Sequence, residues 1–145
     1  MTKPREQFDA IWAGVYVQRY HPKAETVEYQ APLYDTRGIP DADLREKGLM
    51  FFGRMYPRAD ILIKEAGRWT LVEIKPRAFV RDVTNLDFYL DALLHDVVRK
   101  VGVGDIAARV FVTDRDDDRI KAACRGKDIK FVVIPGLTTQ LPPKP

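Results

Sequence analysis

Asp60, Glu73 and Lys75 are the residues whose types and spacing could do chemistry. They lie in Arg58-Ala-Asp-Ile-Leu-Ile-Lys-Glu-Ala-Gly-Arg-Trp-Thr-Leu-Val-Glu-Ile-Lys75, which reads as two strands joined by a short turn. Side chains alternate faces along a strand, so Glu73 and Lys75 share one face and Ile74 enters a core on the other. Pairing of the strands brings Asp60, at the start of the first, close to Glu73, near the end of the second. Two carboxylates and an ammonium then share one pocket. Such a group can hold a hard cation through oxygen ligands with a lysine beside it. An isolated Glu-x-Lys is ordinarily a solvated surface pair; the upstream Asp and the apolar flanks argue for more here. At strand ends, loss of either carboxylate should leave stability little changed, or raise it by removing like-charge repulsion.

The elements that must position these residues follow from local signals. Gly67 supplies the permissive φ for the turn, and Trp69-Thr-Leu-Val resumes strand-favouring types. Pro76 ends the second strand because it donates no ladder hydrogen bond. Upstream, residues 5–20 read as a helix with a Phe8, Ile11, Trp12, Val15, Arg19 stripe. Residues 26–34 read as an edge strand broken by Pro32. Residues 35–57 read as a long loop with a helical turn at 41–47, and loops of that length are often functional.

Downstream, residues 84–101 read as a helix. Thr84 and Asp87 resemble a capping box, Leu86, Leu90, Leu93, Val97 and Val101 form its apolar face, and Gly102 is the stop. Arg109–Thr113 and Lys130–Ile134 read as strands, with a helix between them over 116–124. The acids of Asp114-Arg-Asp-Asp-Asp-Arg119 suit the start of that helix better than a metal site. The pattern predicts one α/β domain over 1–145: a central mixed sheet flanked by helices, with a loose tail at 136–145.

Composition sets the outer limits. The chain has 145 residues, 46% of them hydrophobic, enough for a core. A net charge of +3 is compatible with nucleic acid without requiring it. The single cysteine, Cys124, excludes an internal disulfide and a multi-cysteine zinc site. His21 and His95 have no metal-ligand spacing. No signal peptide and no apolar run of about 18 residues is present, so the expected location is cytoplasmic, with no membrane partner.

The order helix, strand, strand with Asp60, strand with Glu73-Ile-Lys75, helix, strand resembles the PD-(D/E)XK nuclease superfamily over roughly residues 5–135. Ala59 stands where a proline is usual. Val72-Glu-Ile-Lys-Pro76, with His21-Pro22 and Glu28-Tyr-Gln-Ala-Pro32, is similar to the single-domain branch around the transposase endonuclease subunit and the phage head-completion nucleases. The resemblance implies a restriction-endonuclease-like core and a metal-dependent DNA endonuclease in a phage or mobile-element setting, placed in virion or host cytoplasm if phage-encoded. The competing implication is a weak or inactive nuclease fold used for nucleic-acid binding or assembly.

The resemblance also implies roles. Asp60, Glu73 and the Ile74 carbonyl would hold Mg²⁺, for which Mn²⁺ substitutes. Lys75 would stabilise the phosphorane charge or orient water. Arg58, Arg77 and Arg81 would neutralise DNA phosphates. The first helix would add an acid: Glu6 and Asp9 are candidates, Asp9 the preferred one because it lies nearer the apolar stripe, and the spacing also admits Ala13, which cannot ligate. A domain this small covers little duplex, so a homodimer or a larger protein complex is expected.

Overall fold

Five strands form one mixed sheet in the order β1-β2-β3-β4-β5. In this computed structural model the backbone is described for residues 4–135 and the side chains for residues 11–135. The strands are β1 (Thr26–Pro32), β2 (Arg58–Glu65), β3 (Arg68–Ile74), β4 (Ile106–Thr113) and β5 (Lys130–Val133). The first three are antiparallel neighbours, and β4 and β5 join in parallel. The helices are α1 (Pro4–Tyr20), α2 (Asp41–Lys47), α3 (Asn85–Leu94) and α4 (Asp118–Gly126). This is the mixed, helix-flanked α/β sheet that the sequence predicts.

The sheet separates two apolar layers. On one face α1 packs Trp12, Ala13 and Tyr16 against Ile61, Ile63, Val72, Ile74 and Val112. On the other, α3 and α4 place Leu86, Leu93, Ile120 and Cys124 against Leu62, Leu71 and Phe111. Strand alternation thus sends Val72 and Ile74 to α1 and leaves Glu73 on the α3 face.

The β2–β3 turn is Ala66-Gly67, with φ of 52° and 75°. Two successive positive φ values match the right-handed twist of the flanking strands, which is why two-residue hairpins favour them. At the far end of α1, His21 bridges the Tyr16 hydroxyl at 2.9 Å and Glu65 at 3.1 Å. That link ties the helix terminus to the end of β2 and gives the histidine a structural task.

Several local expectations are corrected. The α1 stripe runs through Trp12, Ala13 and Tyr16, while Ile11 is exposed. The side chain of Phe8 and the tail at 136–145 lie outside the described residues. Helix α3 stops at Leu94 rather than at 101, and Val97 and Val98 are exposed. Asp96 ends it: its buried carboxylate takes the N–H groups of Tyr34, Val98 and Arg99 and pairs with Arg99. Those bonds favour a turn over another helical one. Thr84 makes no capping bond; its hydroxyl donates to the Arg81 carbonyl at 2.6 Å. Asp87 pairs with Arg109 and Lys127 instead.

Within 35–57, α2 occupies the predicted turn at 41–47, and a 3₁₀ segment spans Leu49–Met55. The acidic run does cap a helix, since Asp117 Oδ1 accepts from Arg119 N at 2.9 Å and Ile120 N at 3.2 Å. Among the described residues no helix is long and apolar enough to cross a membrane.

Candidate functional site

The β2–β3 ladder runs from Glu65–Arg68 to Ile61–Val72 and then stops. One step further the same register sets Asp60 opposite Glu73. There the carboxylate of Asp60 replaces a backbone partner: Oδ2 accepts the Ile74 N–H at 2.8 Å. Lys75 N donates to Val112 O at 2.9 Å, on the β4 side. Backbone groups of alternate strand residues face opposite neighbours, so the carbonyl of Ile74 shares the β2-facing edge with its own N–H and with Asp60.

Glu73 is 2% exposed, and its Oε2 is buried without a hydrogen-bond partner. Burial pushes its carboxyl up to about 9, and the charge of Asp60 and a hydrogen bond with it add to the rise. Lys75 acts in the opposite direction and Asp82 in the same one. The half-buried Lys75 is thus near enough to act on Glu73, and it makes no ion pair among the described residues. The structure brings together the three residues that open the sequence argument. In metal-free protein, burial and the neighbouring Asp60 charge favour the protonated form of Glu73.

Two further residues belong to this surface and carry no motif. Tyr89 comes from α3; burial, then Glu73 and Asp60, push its hydroxyl up to about 12. Its signal was present, since position 89 shares the stripe of Leu86 and Leu93 and puts a hydroxyl on an otherwise apolar face. Gln30 comes from β1, and its Nε2 donates to Asp60 Oδ1 at 3.3 Å. Nothing in its residue type announces that position.

The three arginines are exposed. Arg58 donates to the Gln30 carbonyl at 3.1 Å. Arg77 follows Pro76 in the turn after β3. Arg81 lies over the Phe79 ring at 5.1 Å, in the Val80–Thr84 3₁₀ turn and its approach. The side chains of Glu6 and Asp9 lie outside the described residues. The described part of α1 packs on the face opposite Glu73.

The donor set suits a hard divalent cation. It offers two adjoining carboxylates, a buried glutamate oxygen with no partner and a strand-end carbonyl. No group of three or more His, Cys, Asp or Glu residues placed for a metal occurs among the described residues. Two side-chain ligands is therefore the set described.

Comparison with known proteins gives the fold a place. No protein-family model matches the sequence, and no curated protein does. Among solved structures, the chain is similar to a repair endonuclease from Pyrococcus abyssi, with a TM-score of 0.50 and 16% identity over 88% of this chain and 46% of that one. It is also similar to EndoMS in the EndoMS–dsDNA2 complex, with a TM-score of 0.51 and 16% identity over 94% of this chain and 46% of that one. The chain spans under half the length of either. At this identity the likeness bears on the fold alone: a mixed five-stranded sheet flanked by helices, of the restriction-endonuclease-like kind.

Proposed function

We propose that this chain is a metal-dependent endonuclease domain that hydrolyses phosphodiester bonds in DNA. The observation that carries the reading is the Asp60–Glu73 pair, with Glu73 Oε2 buried and unpartnered beside it. Burying an acid next to a second one is unfavourable unless something neutralises them, and a divalent cation does so. The PD-(D/E)XK-like fold and the double-stranded DNA bound by EndoMS in its structure support the substrate class.

Asp60, Glu73 and the Ile74 carbonyl would hold Mg²⁺, with Mn²⁺ as a substitute. The cation would polarise the scissile phosphate and favour hydroxide over water. Asp60 is held for this by the Ile74 N–H. Lys75 would offer its ammonium to charge gathering on phosphorus as the water oxygen bonds and the ester oxygen leaves. Arg58, Arg77 and Arg81 would meet flanking phosphates.

Purified protein should nick or cut DNA with Mg²⁺ or Mn²⁺ and stop with EDTA. Asp60→Ala, Glu73→Ala and Lys75→Ala should each abolish cutting. Retained cleavage by Glu73→Ala would remove the assignment. The alternative is a nuclease fold that binds nucleic acid or assembles into a larger complex without cleavage. DNA binding by a protein that cuts under no divalent cation would select it.

A further inference from the structure

Gln30 has a backbone φ of 49°, in the left-handed region. It is not in a turn. Its neighbours keep antiparallel register with β2, Tyr29 against Ile61 and Ala31 against Ala59. That register sets Gln30 opposite Asp60, and the next one sets Asp60 opposite Glu73. Three polar side chains therefore form a row across the sheet. Left-handed backbone is unfavourable for any residue with a Cβ, and it persists in a strand only where the surroundings impose it.

The surroundings do impose it. Arg58 Nη1 donates to the Gln30 carbonyl at 3.1 Å. Arg99 grips β1 on both sides of Gln30, pairing with Glu28 at 2.8 Å and donating to the Pro32 carbonyl at 2.7 Å. Arg99 is anchored in turn by the buried carboxylate of Asp96. The strained residue delivers its amide, whose Nε2 meets Asp60 Oδ1 at 3.3 Å, long for such a donor. With Ile74 N–H on Oδ2, both oxygens of Asp60 then have a protein donor.

We propose that Gln30 is a positioning residue of the carboxylate site, held in left-handed backbone so that its amide orients Asp60 for cation capture. The proposal rests on reading Asp60 and Glu73 as the cation site. A neutral amide does this without placing a third negative charge beside the pair. Groups that orient metal-binding carboxylates through hydrogen bonds tune affinity in the same way. A residue kept only for the stability of β1 would not be a glutamine at this φ, because glycine or asparagine fits there with less strain.

The test compares the parent with Gln30→Gly and Gln30→Asn in the intact chain. Glycine relieves the backbone and removes the amide; asparagine tolerates the backbone, but its amide falls one methylene short of Asp60. Melting temperature is read in EDTA, and Mn²⁺ affinity by titration calorimetry. Both variants should melt at or above the parent while binding Mn²⁺ roughly tenfold more weakly. Parent-like Mn²⁺ binding by either variant overturns the proposal. So does Gln30→Gly melting below the parent, which would make Gln30 a structural residue. A parent that binds no Mn²⁺ sinks the carboxylate-site reading and this proposal together, whereas a binding parent with unchanged variants sinks this one alone.

Discussion

Asp60 Oδ2 accepts the Ile74 N–H at 2.8 Å, at the point where the β2–β3 ladder ends. The carboxylate closes the sheet where the strands part, and the same group faces Glu73. One side chain therefore serves both fold and site. For Asp60 this bond argues against the expectation that its loss leaves stability little changed; for Glu73 the expectation stands.

The two acids should differ in sign. Asp60→Ala strands the Ile74 N–H and should destabilise metal-free protein by about 1–3 kcal/mol. Asp60→Asn keeps an acceptor oxygen and should stay closer to the parent. Glu73→Gln removes a buried acid beside another and should stabilise by on the order of 1 kcal/mol. Urea unfolding in EDTA measures all three, and equal losses at both positions would contradict the arrangement.

Stability should depend on pH through Glu73. Its ordinary value of 4.5 is raised to about 9, mainly by burial and then by Asp60. Between these values the folded protein holds a proton that the unfolded chain has released. Metal-free stability therefore falls as pH rises through that window. Asp35 and Asp87 are lowered from 3.8, by bonds to Arg37 and to Lys127 and Arg109, so they act below it. Melting temperatures across the window should slope downward for the parent and lie flatter for Glu73→Gln. A parent that gains stability toward the upper end would contradict the raised Glu73.

Much of this was legible in the residues. Asp60, Glu73 and Lys75 were readable because strand alternation and a hairpin register fix relative positions with few alternatives. The turn was readable from Gly67, although the positive φ of Ala66 was not, since alanine carries no sign of it. The early end of α3 depends on the buried Asp96, whose partner Arg99 also reaches back to β1, so no local window contains the cause. Gln30 is the extreme case. Arg58 holds its carbonyl and Arg99 holds the residues two before and two after it, and its partner stands 30 positions away.

Cation binding should release a proton at neutral pH, because Glu73 must lose the one it holds. Calorimetric heats of Mn²⁺ binding should change with the ionisation enthalpy of the buffer, corresponding to about one proton released. Apparent affinity should rise with pH up to about 9. Buffer-independent heats would mean that the cation leaves Glu73 protonated and binds elsewhere.

The most direct measurement is the anomalous difference density of a crystal of this chain soaked in Mn²⁺. A peak between the Asp60 and Glu73 carboxylates, within reach of the Ile74 carbonyl and absent from the Glu73→Gln crystal, is the predicted result. No peak there at saturating Mn²⁺, with Glu73 still against Asp60, would contradict the claim that this pair is a cation site.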